Sequence, residues 1–257
     1  MPLTLENWRG SNRRKLAQRA LQRQLAYQVR KAKDLSGHEH EVLQAMGKAS
    51  RRVRDLLESF QPIDGDARVI EVGSGSHGLI FTFGTRYGVG VDPLAVSYAK
   101  LFPCWQANVP TVAAFGEHLP FLDHSFGIVL CDNVVDHAES PSEIAAELVR
   151  ILTPGGLLYF TVNVHHALYA VAAGVHSTWR AMSVPFEIGP FADHTTHLTV
   201  SAARRLFVNL PIQILGETCN IAGAKARARK RPSRHLGDTL KKMFFKNAVY
   251  ELVARRV

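Results

Sequence analysis

The sequence predicts an α/β fold organised around a nucleotide-binding turn, and three observations carry this prediction. Residues 68–72 form a β-branched run typical of a buried strand, and glycines follow at G-x-G-x-x-G spacing as Gly73, Gly75 and Gly78. A second strand is predicted at residues 87–91 and leads into Asp92. Glycine suits the turn because a side chain would block the approach of a ligand to the backbone. An acid after the second strand is placed to bind ribose hydroxyls, so turn and acid predict an adenosine site.

The remaining elements follow from the periodicity of the apolar residues. Apolar residues at helical intervals after Gly78 predict a helix there, and further strands are predicted at 128–131, 157–162, 212–218 and 248–253. The glycine spacing alone does not select the ligand, since nicotinamide and flavin domains share it.

The chain of 257 residues has room for one α/β domain and a modest addition. Residues 1–60 are predicted to form a basic helical cap with a break at Ser36–Gly37, and residues 61–257 the nucleotide-binding domain. The apolar stripe of the cap is typical of packing, and the alternative is a helix that binds a membrane or nucleic acid. No signal peptide or membrane span is predicted. Three scattered cysteines are typical of buried thiols in a reducing cytoplasm.

The net charge of +9 is distributed unevenly along the chain. The first 60 residues hold 13 Lys and Arg against 6 acids, residues 221–257 hold 11 against 2, and the middle is acidic. This pattern favours contact between the two ends and an anionic group, such as phosphate, nucleic acid or lipid headgroups. The alternative is that the basic ends keep the protein soluble.

Four motifs in a fixed order then suggest a family. Glu71 lies two residues before the first glycine, Asp92 is followed by Pro93, and the segments Leu119–Phe121 and Leu152–Gly156 come later. With these motifs, residues 68–206 resemble class I S-adenosylmethionine-dependent methyltransferases of the small-molecule kind called type 11. The resemblance implies a Rossmann-like, seven-stranded, mostly parallel sheet with helices on both faces, an N-terminal helical cap, and S-adenosylmethionine as cofactor.

The resemblance also implies which residues bind the cofactor. Glu71 is expected to brace the glycine turn, while the segment at 116–121 resembles one that flanks adenine. The predicted cofactor-binding residues are Glu71, Gly73, Ser74, Gly75, His77, Gly78, Asp92, Pro93, Glu117, His118, Leu119, Asp132 and Asn133. The chain departs from the family at Phe115 and Gly127, where relatives usually carry Asp. Phe115 is alternatively a core residue.

Acceptor chemistry is predicted at the ends of the fourth and fifth strands, because ligands of open α/β sheets lie beyond the carboxyl ends of strands. The predicted catalytic residues are His137, His165 and His166, since a histidine near neutral pKa can take a proton from a hydroxyl or amine. Alternatively, His137 orders its loop. The predicted acceptor contacts are Asp136, Asn163, His194 and His197. No metal site is predicted, because adjacent histidines on a strand point to opposite faces.

A basic loop is predicted at residues 220–242. If the fold is that of the family that the chain resembles, the sixth strand runs parallel to the first five and the seventh runs antiparallel, so this connection emerges on the ligand side. Such a placement favours an anionic acceptor: a phosphorylated metabolite, a glycan on a lipid pyrophosphate, or RNA. The alternative is a solvated loop. Residues 241–246 mix charge with apolar side chains, as a contact with a membrane surface would.

The prediction is therefore a cytoplasmic S-adenosylmethionine-dependent methyltransferase, with peripheral contact to the inner membrane face as an option. It would methylate an oxygen, or less favourably a nitrogen, of a small-molecule or glycan- or lipid-linked anionic acceptor. One alternative is an RNA methyltransferase or RNA-binding protein that uses the basic termini. Another is a non-catalytic cofactor-binding partner, suggested by Phe115 and Gly127.

Overall fold

The computed structural model describes residues 21–136, 138–167, 198–230 and 247–257. The chain divides after residue 116 into two compact units. Seven strands in the described residues form a mixed sheet, and most of its strands are parallel. The predicted seven-stranded α/β fold is therefore confirmed.

The strands of the first unit are β1 (Arg68–Val72), β2 (Tyr87–Val91) and β3 (Thr111–Val112), which pair in parallel in the order β3-β2-β1. β1 is buried after its first residue, as its run of apolar residues predicts. Helices α3 (Ala95–Leu101) and α4 (Pro103–Gln106) connect β2 to β3. The turn between β1 and β2 thus opens at the carboxyl ends of two buried parallel strands.

The predicted N-terminal helices are present in the described residues. Helix α1 covers residues 21–35, and α2 (Glu39–Glu58) follows a break at Gly37, whose φ of 85° is left-handed. One face of α2 is buried through Met46, Gly47, Ser50, Val53 and Leu57. Ser50 Oγ donates a 2.8 Å hydrogen bond to the carbonyl of Leu79, so α2 packs on the segment after the glycine turn.

The second unit contains the strands β4 (Phe126–Asp132), β5 (Leu152–Val164), β6 (Ile212–Cys219) and β7 (Ala248–Arg256) in the order β4-β5-β7-β6. The helices among the described residues of this unit are α5 (Pro141–Ile151), α6 (Val200–Arg205) and α7 (Ile221–Lys230). β4 and β5 are parallel, and β7 is antiparallel to both β5 and β6. The connection from β6 to β7 therefore begins at the edge where β5 ends, as predicted.

Two local elements differ from the predictions. The helix expected after Gly78 is a single 3-10 turn, Leu79–Thr82, because the chain passes at Gly84 into a left-handed conformation with φ of 78°. The predicted basic loop is helical in its first part, since α7 follows Asn220, whose Oδ1 accepts from Gly223 N at 2.9 Å. None of the helices described here combines the length and apolar character needed to cross a membrane.

Candidate functional site

The glycine turn and Asp92 lie together in the first unit, as the sequence predicts. Gly73 and Gly75 have φ of 75° and 52°, a left-handed conformation that favours glycine. Gly75 N donates to Oδ2 of Asp92 at 3.1 Å, and Leu94 N donates to Oδ1 at 2.8 Å. Burial raises the pKa of Asp92, and the two backbone hydrogen bonds oppose that shift. The turn is thus tied to the acid expected to bind ribose.

Glu71 and Gly78 fit together at the end of the turn. Glu71 is buried, and its Oε2 accepts from Ile80 N at 2.9 Å. A Cβ atom on Gly78 would lie 2.4 Å from this oxygen and 2.5 Å from the carbonyl oxygen of Ser74. Ser74 is itself buried, while Pro93 is half-buried directly after Asp92. A glycine is therefore needed at position 78 because a side chain would not fit there, and not because of the backbone conformation, whose φ is −61°.

Helix α4 supports the turn through two residues that the sequence analysis did not single out. Trp105 Nε1 donates to the carbonyl of Ser76 at 2.7 Å, and Gln106 Nε2 donates to the carbonyls of Gly75 and Ser76, both at 3.1 Å. Both side chains are buried. The signal in the sequence is weak, since it is a Gln beside a Trp in a short segment after Pro103.

His77 is held as a neutral imidazole within the turn. Its ring lies 4.9 Å from the ring of Phe102 and 5.0 Å from that of Trp105, measured between centroids. Ser76 Oγ donates its proton to Oε1 of Gln28 at 3.0 Å, so the 2.6 Å bond between Ser76 Oγ and His77 Nδ1 takes its proton from the imidazole. Gln28 belongs to α1, so this helix contacts the turn. Burial, followed by the positive charge of Lys31, lowers the pKa of His77 to about 4.

This lowered pKa predicts a pH-dependent stability. The pKa of His77 falls from its ordinary 6.5 to about 4 on folding, so protons bind preferentially to the unfolded chain between these values. The free energy of unfolding should therefore decrease as pH falls through this window. Urea unfolding at a series of pH values should show a flatter dependence for His77→Gln, whose amide still has a donor for Ser76. Equal pH dependence in both proteins would contradict the prediction.

In the second unit, side chains join the ends of β4 and β5. Asp132 pairs with Thr161 in the parallel register, and Thr161 Oγ1 donates to Oδ1 of Asp132. The same hydroxyl accepts from Asn133 N at 3.0 Å. Asn133 has a left-handed φ of 58°, and its Oδ1 accepts from the main-chain N of Asn163 at 3.1 Å and from Nδ2 of Asn163. The structure thus brings Asp132, Asn133 and Asn163 together.

The predicted adenine-flanking segment is held by α5. Oε1 of Glu117 accepts from the main-chain N of Glu139 at 3.1 Å, next to the start of α5, where negative charge is favourable. Leu119 is buried, and its N donates to Oε2 of Glu147 at 2.8 Å, whereas His118 is exposed. Elsewhere, Phe115 is 51% exposed, so the alternative that it is a core residue is wrong.

Two of the predicted catalytic histidines can be placed. His165 is buried, and its Nδ1 accepts from Asn247 N at 3.4 Å, so the neutral ring carries its proton on Nε2. His166 is partly exposed at the end of β5, and Asp136 is fully buried. His137, His194 and His197 lie outside the described residues. The catalytic and acceptor-binding roles of all these residues stay predictions.

The cations of α7 lie beside the end of β5. Arg227 Nη2 is 3.5 Å from the carbonyl of Asn247, the residue whose N donates to His165. Arg227 and Arg229 are exposed and Lys225 is partly exposed, and the helix contains no acidic residue. The predicted cations at residues 231–242 lie outside the described part of the chain.

Comparison with known proteins supports the resemblance to methyltransferases. Residues 70–160, from β1 into β5, match the family model of a methyltransferase domain, so the predicted resemblance is confirmed over that segment. An uncharacterized methyltransferase of Mycobacterium sp. (strain JLS) is 34% identical over 117 residues, which are 44% of this chain and 45% of that protein. The match therefore spans about half the length of such curated relatives or less.

Solved structures share the fold at low sequence identity. Geranyl diphosphate C-methyltransferase from Streptomyces coelicolor, in complex with Mg²⁺, geranyl diphosphate and S-adenosyl-L-homocysteine, has a TM-score of 0.57 at 15% identity, over 81% of this chain and 77% of that one. The YcgJ protein of Bacillus subtilis has a TM-score of 0.51 at 16% identity, over 84% and 98%. The fold is thus the Rossmann-like fold of class I methyltransferases.

Proposed function

We propose that the protein is an S-adenosylmethionine-dependent methyltransferase that acts on an oxygen of an anionic small-molecule acceptor. The observation that carries the proposal is the hydrogen bond of Gly75 N to Asp92 in a turn braced by Glu71. A left-handed glycine turn exposes backbone to the cofactor, while the carboxylate accepts hydrogen bonds from ribose. The match of residues 70–160 to a methyltransferase domain supports the same cofactor.

The chemistry needs little from the protein besides positioning. When bound, S-adenosylmethionine supplies an activated methyl group on a sulfonium. The chain's own residues would hold the acceptor in line with that methyl group and exclude water, which accounts for a large part of the barrier reduction in such transfers. A histidine such as His166 is a candidate to take the acceptor's proton, because it is partly exposed at the end of β5.

The anionic character of the acceptor is proposed from α7. Its exposed cations begin at the edge where β5 and β6 end, next to Asn247 and His165. Guanidinium groups bind phosphate through paired charge-assisted hydrogen bonds. A phosphate, a diphosphate or a glycan- or lipid-linked phosphate therefore fits this helix. The geranyl diphosphate methyltransferase, which shares the fold, was solved with a diphosphate-bearing molecule.

Calorimetry tests the cofactor directly. S-adenosylmethionine and S-adenosylhomocysteine should both bind, while NAD, which suits the same glycine spacing, should not. Binding of NAD without binding of S-adenosylmethionine would contradict the proposed function. The acceptor class is tested by inorganic pyrophosphate, whose binding should weaken in Arg227→Gln and stay unchanged in Arg86→Gln, an exposed arginine of the first unit. Equal binding to both variants would argue against α7 as the anion site.

A further inference from the structure

The side-chain amide of Asn133 has an orientation fixed by its partners. The main-chain N of Asn163 can only donate, and it lies 3.1 Å from Oδ1 of Asn133. Nδ2 of Asn163 donates to the same oxygen. If the side-chain amide of Asn133 were flipped, its amino group would face the two donors of Asn163. Oδ1 therefore faces Asn163, and the amino group of Asn133 points away from Asn163. Within the described residues, that amino group has no hydrogen-bond acceptor.

The two oxygens of the Asp132 carboxylate also differ in their hydrogen bonds. Thr161 is buried, and its single hydroxyl proton goes to Oδ1 of Asp132, while its oxygen accepts from Asn133 N. Oδ2 of Asp132 receives no donor from the part of the chain that the structure describes, and Asp132 is exposed. Consecutive residues at the carboxyl end of β4 therefore offer one unused acceptor and one unused donor, both on side chains whose other atoms are fixed.

This combination matches a hydroxyl group. A hydroxyl oxygen donates one proton, accepts from Asn133 through one lone pair and keeps the second lone pair for attack, whereas a neutral amine has a single lone pair, which the hydrogen bond from Asn133 would occupy. We propose that Asp132 and Asn133 hold the nucleophilic hydroxyl of the acceptor, and not the cofactor as the sequence predicts. The inference rests on the proposed methyltransferase function and names the part of the site that receives the acceptor.

The step that these residues serve is a balanced transfer. The hydroxyl oxygen forms a bond to the methyl carbon as the bond between that carbon and the sulfonium sulfur breaks, and the electron pair of that bond stays on sulfur. The hydroxyl proton passes to Oδ2 of Asp132, in place of His166, and then to water. Asn133 donates to the oxygen and orients its lone pair, while Thr161 and Asn163 keep the two side chains in place.

Two isosteric variants test the pair. Asp132→Asn keeps an oxygen for Thr161 and replaces Oδ2 by an amino group, while Asn133→Asp keeps Oδ1 for Asn163 and removes the donor. Calorimetry measures S-adenosylmethionine binding, and S-adenosylmethionine with an isotope-labelled methyl group measures transfer into a small-molecule extract of a mycobacterium, the genus of the sequence relatives. We expect cofactor affinity to stay within about 2-fold and transfer to fall about 30-fold in each variant. The NMR shift of the transferred methyl carbon should be that of a methyl on oxygen.

The outcomes separate the two proposals. If the cofactor binds less tightly to both variants in proportion to the loss of transfer, the pair binds the cofactor and the inference is wrong. If transfer is kept in both variants, or if the labelled methyl is on nitrogen, the inference is also wrong while the methyltransferase function stands. If the wild-type protein binds no S-adenosylmethionine and labels no pool, the proposed function fails and the inference falls with it.

Discussion

Replacement of Gly78 by alanine should lower the free energy of unfolding by about 3 kcal/mol or more and abolish cofactor binding. The added Cβ would lie 2.4 Å from Oε2 of Glu71 and 2.5 Å from the carbonyl of Ser74, which are distances that force one of them to move. Glu71 cannot yield easily, because it is buried in β1 and accepts from Ile80 N at 2.9 Å. A shift would leave a buried carboxylate without this donor and would deform the turn.

Gly65→Ala is the matched control, since a Cβ there meets nothing within 4 Å and the residue does not have a positive φ. Its stability should equal that of the wild type or exceed it slightly. Urea unfolding compares the three proteins, and calorimetry with S-adenosylhomocysteine compares their affinities. If Gly78→Ala has the same free energy of unfolding and the same affinity for S-adenosylhomocysteine as Gly65→Ala, the turn accommodates the added Cβ and the prediction is wrong.

The turn itself was predictable because its determinants are local. The strand, the glycines and the acid occur within 25 residues, and each can be recognised directly in the sequence. The strand is a run of apolar residues, the glycines lack a side chain, and the acid is a charge at the end of a strand. The later strands were predictable for the same reason. The carboxyl ends of β4 and β5 then had to meet at one edge, which brings Asn133 next to Asn163.

The supports of the turn were not predictable, because they come from distant segments. Gln28 reaches Ser76 across 48 positions and Trp105 reaches it across 29. Polar side chains of this kind have no periodicity that separates them from surface residues. In α1 the apolar residue would be expected to be buried and the polar residue exposed, but Gln28 is 6% exposed and Val29 is 38% exposed. A hydrogen-bond partner in the turn decides which of these neighbours is buried.

Helix α7 was missed for a different reason. Its alternating alanines and cations have high helix propensity, and Asn220 is a good residue to precede a helix. The prediction for residues 220–242 is nevertheless a basic loop, with a solvated loop as the alternative, so the helix was not expected. The 3-10 turn after Gly78 is the opposite case, because a helical run of apolar residues is ended by the left-handed Gly84. Local stop signals outweighed periodicity there.

The second large effect is expected for Asp92→Asn, which should weaken S-adenosylhomocysteine binding at least ~100-fold. Both carboxylate oxygens accept backbone hydrogen bonds, from Leu94 N at 2.8 Å and Gly75 N at 3.1 Å. An amide has one oxygen, so its amino group must face one of these donors or turn away. The turn would lose a hydrogen bond, and the ribose would lose a charged acceptor.

The same residue predicts how cofactor affinity depends on pH. Because burial raises the pKa of Asp92 above its ordinary value, protonation and loss of ribose binding should begin at a higher pH than for an exposed aspartate. Wild-type affinity should fall as pH decreases through that pKa, while Asp92→Asn should be weak throughout and independent of pH in this range. Asp66→Asn, which changes an exposed aspartate of the same unit, should follow the wild type at every pH. If Asp92→Asn retains wild-type affinity and pH dependence, the carboxylate does not bind the cofactor, and the adenosine site is not at this turn.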